Sequence, residues 1–327
     1  MVGDVPLFSI IVPAYNAEGS IDSCLDSLLG LTGDDYEIVV IDDGSTDLTA
    51  ELVRQRAEGS KCLHLISQEN AGVYQARRKG CAKANGAYCL FVDADDRVEP
   101  CILASLRSVL DGKPDMVVFN ALSGGELLCA GDWLKSLNLT IARNEIVAGN
   151  LMNPIWNKCI RRSLVNCSSV DDVAGRLVYG EDAIQVASIL DSCNSVVGLD
   201  LPLYRYEINA ESVTSTIDPL LRFKQAIRKQ EILSTYIEKW GLGSTGRPGF
   251  NSNCLIYCAD YCRALAKRGD YRGMRKLASE AFFVDAADEY TDALLTRNQK
   301  IMVAMLRTKS VFATRFLCLL AAIRREA

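Results

Sequence analysis

The chain has 327 residues, 49% of them hydrophobic and 24% charged, which is enough apolar material for a sizeable core and unlike a disordered polymer. Its net charge of −5 argues against a protein that grips nucleic acid through a basic surface, so any nucleotide ligand must be held locally. Thirteen cysteines, an odd number without a CxxC pair, read as free thiols and fit a reducing cytoplasm rather than a disulfide scaffold.

The opening MVGDVPLFSIIVPAYN lacks the basic stretch of a signal peptide, and no segment approaches the roughly 20 apolar residues of a membrane span. Neither feature is expected here. Phe8 to Val12 reads as a buried strand, followed by a helix from Ser20 to Leu29 with apolar residues at helical spacing. Glu37 to Ile41 is a second strand and Asp47 to Arg56 a second helix. A third strand spans Cys62 to Ile66, a third helix runs from Tyr74 to Lys83 until Asn85-Gly86 stops it, and Tyr88 to Val92 is the fourth strand. Such alternation predicts an α/β fold with a Rossmann-like, mostly parallel sheet flanked by helices.

Asp115 to Asn120 is a further strand candidate, and an irregular Gly-rich stretch follows it. From about Leu220 the pattern turns helical, with candidates at Leu220 to Trp240, Cys254 to Lys267, Arg272 to Phe283 and Gln299 to Arg325. These runs divide the chain into a catalytic domain over 1–218 and a helical C-terminal region over 219–327. Gly241 to Gly249 (GLGSTGRPG) reads as a linker or turn. Cys254, Cys258 and Cys262 share one helix face, which suits packing better than a metal site.

In an open sheet of this type, ligands lie beyond the carboxyl ends of the strands. Three polar clusters fall there: Pro13-Ala14-Tyr15-Asn16, Asp42-Asp43-Gly44-Ser45 and Asp93-Ala94-Asp95-Asp96. Two carboxylates flanking one small residue, as in Asp93-Ala94-Asp95, can reach a divalent cation and the ribose or diphosphate beside it; an acidic turn capping a helix has the same composition. Pro13 and Tyr15 offer a stiff loop and an aromatic face for a base, or simply end a strand. His64, the single histidine, lies away from all three clusters and speaks against Ser-His-Asp hydrolysis.

The ordered motifs SIIVPAYN, VVIDDGSTD, ENAGVYQARRKG and FVDADD resemble glycosyltransferase family 2, whose members have the GT-A fold and invert the anomeric centre. The likeness extends over roughly residues 7 to 215. It implies that Pro13, Tyr15, Asp42, Asp43 and the Gly72 to Arg77 region surround a nucleotide sugar. It further implies that Asp93, Ala94 and Asp95 serve its ribose, diphosphate and Mn²⁺ or Mg²⁺, and that an acid opening a later helix is the general base. Gly180-Glu181-Asp182 matches that place, so Asp182 takes the role and Glu181 is the fallback; helix capping is the plainer reading. Trp156, Lys158 and Arg205 resemble positions near donor or acceptor, and so does Ser212, although a core tryptophan and solvated cations fit equally.

The implied activity is transfer of a sugar from a nucleotide diphosphate donor, UDP-linked by resemblance, to a hydroxyl of a glycan or lipid-linked acceptor. A catalytically inactive sugar-nucleotide or glycan-binding protein is the alternative, disfavoured by retention of Asp93, Asp95 and Asp182. Residues 297–327 carry seven Lys or Arg against one Glu among apolar runs. That tail reads either as a surface contact with the inner face of a membrane or as a helix packed on the body of the protein. A homodimer is left open.

Overall fold

The computed structural model describes residues 5–128, 132–149, 152–165, 177–208 and 216–326. Contacts divide the chain into two compact units, one of Met1–Ala142 with Asn153–Ser212, the other of Arg143–Met152 with Val213–Ala327.

The first unit begins with the expected alternation: β1 (Phe8–Ala14), α1 (Ile21–Leu29), β2 (Tyr36–Asp42), α2 (Thr49–Glu58), β3 (Leu63–Ser67), α3 (Val73–Lys83) and β4 (Tyr88–Phe91). Every residue of β1, β2 and β4 is buried, which explains why these strands are continuous apolar runs rather than alternating ones. On α1 the buried residues are Ile21, Cys24, Leu25 and Leu28, the spacing of one helical face, and each large one contributes about 1.5–3 kcal/mol by burial. Gly80 lets α3 lie against β1, since a Cβ there would sit 2.4 Å from Ile11 Cγ2.

After β4 come β5 (Arg97–Val98), α4 (Ile102–Arg107), β6 (Met116–Ser123), β7 (Glu126–Leu127), a 3₁₀ turn (Asp132–Ser136) and α5 (Leu139–Ala148). They lead to β8 (Lys158–Arg161), α6 (Arg162–Val165), α7 (Glu181–Ser192) and β9 (Val196–Tyr206). The strands form one sheet in the order β3-β2-β1-β4-β8-β6-β9-β5, with β7 paired to β6. The pairings among β3, β2, β1 and β4 are parallel, as expected from the sequence. Beyond β4 the sheet is mixed, because β8 inserts antiparallel between β4 and β6 while β9 runs parallel to β6.

The second unit is helical: α8 (Pro219–Lys239), α9 (Gly243–Lys267), α10 (Tyr271–Leu277), α11 (Ala281–Asp288), α12 (Arg297–Arg307) and α13 (Val311–Glu326). The GLGSTGRPG segment is not a linker over its length. From Gly243 onward it forms the first turns of α9, and its glycines serve packing: a Cβ on Gly249 would lie 2.4 Å from Ala148 Cβ, and one on Gly246 3.1 Å from Val147 Cγ2. Cys254, Cys258 and Cys262 are all buried along α9, and burial drives their thiols up, to about 12 at Cys254 and Cys262. They behave as small hydrophobes. Among the described residues no helix is long and apolar enough to cross a membrane.

Candidate active site

The loops after β1 and β2 are laced together by short polar side chains. Asn16, in a left-handed conformation at φ 49°, donates its amide to Ser45 Oγ at 3.1 Å and accepts at Oδ1 from the Thr46 amide at 2.8 Å. Asp47 Oδ2 accepts from the Glu18 amide, and the Leu48 amide donates back to Glu18 Oε2. Pro13 lies inside β1, paired with Ile41, whereas Tyr15 just beyond the strand is 52% exposed. The aromatic ring is thus the accessible member of that pair.

Asp42 and Asp43 end β2 with different jobs. Asp42 Oδ1 accepts the Ser45 amide at 3.0 Å and stabilises the turn through Gly44. Both oxygens of Asp43 face the next loop: Oδ1 accepts from Gln68 Nε2 at 2.7 Å and the Ala71 amide at 2.8 Å, and Oδ2 from the Gly72 amide at 2.8 Å. At 3% exposure, Asp43 fixes the entrance to α3. Gly72, at φ 92°, is the N-cap of that helix, and the positive φ favours glycine.

α3 then delivers Arg77 to the centre of the site. The Arg77 side chain is 3% exposed and reaches two acids from distant parts of the chain. Its Nη2 donates to Asp93 Oδ1 at 3.0 Å, and its Nη1 pairs with Asp182 Oδ1, with Glu181 Oε1 at 4.0 Å. Asp182 Oδ2 also accepts from the Ile155 amide at 3.3 Å. Burial alone disfavours the Arg77 cation, but the charges of Asp182, Asp93 and Glu181 outweigh it and raise its pKa.

Glu181 and Asp182 open α7 behind Gly180, a left-handed N-cap at φ 85°. That cap turns the chain sharply so that both acids of the first turn lie beside Arg77. Burial and then the Asp182 charge push the Glu181 carboxyl up to about 7. Asp93 is likewise raised, by burial first, although Arg77 opposes this.

Behind the Asp93-Ala94-Asp95 turn stands an aromatic stack that the sequence reading missed. The Asp93 amide donates to Tyr204 Oη at 3.1 Å, and Tyr204 Oη donates to Asp96 Oδ2 at 2.6 Å. Trp156 stacks on Tyr204 with centroids 4.6 Å apart and on Tyr206 at 6.0 Å. Asp96 is 1% exposed, and burial raises its carboxyl to about 8. The signal for the stack was the spacing of Tyr204 and Tyr206, two residues apart and therefore on one face of a strand.

The remaining sequence candidates fall elsewhere. Trp156 is 8% exposed and belongs to the core under the acidic turn. Lys158 is fully buried, its Nζ donating to Asn157 Oδ1 at 2.6 Å and to the Pro154 carbonyl, so it is no solvated cation and offers no surface to a ligand in this structure. Arg205 is more than half exposed and ion-paired with Glu99 at the β5–β9 edge. His64 is exposed on β3. Ser212 lies outside the described residues. Asp95 is half-buried beside Asp93, and among the described residues no group of three or more His, Cys, Asp or Glu is placed to cage a metal ion.

A mixed α/β sheet that brings one acid after a strand end and two at the start of a helix around a buried guanidinium fits an enzyme that handles a charged, compact substrate. Comparison with known proteins makes the class specific. Residues 9–147 match the family model described as glycosyl transferase family 2. The uncharacterized glycosyltransferase YibD of Escherichia coli (strain K12) is 25% identical over 305 residues, 86% of each chain. The glycosyltransferase GlyA of Streptococcus pneumoniae is 38% identical over 221 residues, 63% of this chain and 31% of that one. The crystal structure of S. aureus TarS 1-349 in complex with UDP-GlcNAc superposes with a TM-score of 0.57 at 18% identity, covering 98% of this chain and 92% of that one, and so shares its fold. The chain is therefore a sugar-transferring enzyme with the GT-A fold. The likeness to glycosyltransferase family 2 lies in its N-terminal part, residues 9–147.

Proposed function

We propose that the enzyme inverts the anomeric centre as it moves a sugar from a nucleotide diphosphate donor, UDP-linked, onto a hydroxyl of a glycan or lipid-linked acceptor in bacterial surface polysaccharide synthesis. The bacterial relatives and the likeness to a protein crystallised with UDP-GlcNAc support this reading. One observation carries it: Arg77 ties Asp93, at the end of β4, to Asp182, at the start of α7. Inversion needs a carboxylate for the acceptor proton on the face opposite the leaving diphosphate, separate from the groups that hold the diphosphate. The Arg77 cluster supplies both kinds of acid within one site.

In this reading Tyr15 and Asp42 meet the base and ribose, Gly72 and Arg77 line the donor, and Asp93 with Asp95 face the diphosphate. Asp182, paired with Arg77, accepts the acceptor's hydroxyl proton. Glu181 beside it has its carboxyl pushed up to about 7, by burial first, and so holds its proton into the neutral range. Asp93 and Asp95 also fit a divalent cation: two carboxylates, with no third acid, His or Cys grouped with them among the described residues, are the donor set of an ion that completes its shell on substrate phosphates. Bound Mn²⁺ or Mg²⁺ would neutralise the charge developing on the departing diphosphate.

The test is a screen of UDP-, GDP- and dTDP-sugars with Mn²⁺ or Mg²⁺, read by thermal stabilisation and by nucleoside diphosphate release. Stabilisation by a UDP-sugar that requires the metal, with UDP released when an acceptor is present, is expected. Binding without turnover across donors and acceptors would favour a non-catalytic binding protein.

A further inference from the structure

Helix α13 packs within the helical unit through its inner face: Thr314 and Leu317 are buried, and Cys318 Sγ lies 3.7 Å from Met274 Sδ of α10. Its other face carries Phe312, 88% exposed, and Phe316, 51% exposed. Spaced four residues apart, the two rings stand one turn above each other on the same side of the helix. Two phenylalanines left in water one turn apart form an apolar ridge that an isolated surface residue would not.

The surroundings of this ridge decide what would cover it. Arg307 and Lys309 are exposed at the α12–α13 turn, Arg315 is exposed between the two rings in sequence and spreads over Tyr271 at 4.9 Å, and Arg297 opens α12. Residues 297–327 hold seven basic residues against one acid in a chain whose net charge is −5, so positive charge is concentrated here while the rest is strongly acidic. An apolar ridge rimmed by cations is complementary to a surface that is greasy at depth and negative at its face. A second copy of the chain would bring cation against cation across the same ridge.

We infer that the outward face of α13, with Phe312 and Phe316 as a wedge and Arg307 and Lys309 at its rim, docks on an anionic lipid bilayer. The rings enter the headgroup boundary while the inner face of the helix keeps its packing, so docking requires no unfolding. This surface is independent of the reading of the active site.

Full-length protein is co-sedimented with vesicles of phosphatidylcholine alone and of phosphatidylcholine with phosphatidylglycerol, at low and high salt. The parent should pellet with the anionic vesicles only, and less so at high salt. The Phe312→Ser/Phe316→Ser variant should partition at least about tenfold less, and Arg307→Glu/Lys309→Glu should lose binding while keeping the parental melting temperature. A parent that stays in the supernatant with anionic vesicles, or a serine variant that pellets like the parent, would overturn the inference. So would a concentration-dependent dimer in solution that the serine variant abolishes, because a second copy would then cover the ridge.

Discussion

Arg77 holds Asp93 and Asp182 in one grip, although the two acids lie 16 and 105 residues from it in the chain. Its side chain is 3% exposed, so the cation and its acids depend on each other: neither charge is well solvated by water. The contact joins the end of the fourth strand to the start of a helix after the sheet has turned mixed, and it is what makes one site out of distant motifs.

Removing the cation should therefore cost more than a surface ion pair would. Arg77→Met is expected to destabilise the fold by about 3 kcal/mol, because it leaves acids partly buried without their counter-ion. Urea unfolding of the single variants and of Arg77→Met/Asp93→Asn checks this. The double variant should recover part of the loss, and strict additivity would show that the pair is not coupled.

Glu181 gives a pH dependence of known sign. Its carboxyl is raised to about 7 in the fold by burial and by Asp182, against an ordinary value of 4.5. Between those values the unfolded chain releases a proton that the folded one keeps, so this group's contribution to stability falls as pH rises from about 4.5 to 7 and is flat above. Glu181→Gln should match the parent near pH 4 and melt higher than the parent at pH 8. Thermal scans across that range measure the difference, and a gain at low pH instead would reverse the sign.

Trp156 is expected to act through packing. Trp156→Ala removes the stack on Tyr204 and Tyr206 and should cost about 3–5 kcal/mol, whereas Trp156→Phe should keep the fold and the donor affinity. A phenylalanine variant that is stable but weak in donor binding would place the indole against substrate.

The legible parts of the sequence were those where local pattern and burial agree. β1, β2 and β4 are buried throughout, so they appear as unbroken apolar runs, and polar residues follow where they end. β8 is only four residues and starts at a buried lysine, and β9 is irregular around Pro202, where its register with β6 shifts. Neither carries a period that a reading of the chain could detect. GLGSTGRPG reads as a linker because glycine usually breaks helices, but Gly246 and Gly249 are small so that Val147 and Ala148 can approach. At the site, the strand-end rule located Asp42, Asp43 and Asp93, yet composition cannot tell that Asp43 spends its carboxylate on the Gln68–Gly72 loop or that Tyr204 buttresses Asp93.

In the proposed reaction Asp182 takes the acceptor's proton while other groups hold the donor. Steady-state transfer and equilibrium donor binding of Asp182→Asn test it directly, since asparagine preserves shape but cannot accept that proton. The proposal predicts a fall in kcat of about 10²–10⁴-fold with donor affinity within about threefold of the parent. Transfer at the parental rate by the asparagine variant would contradict it.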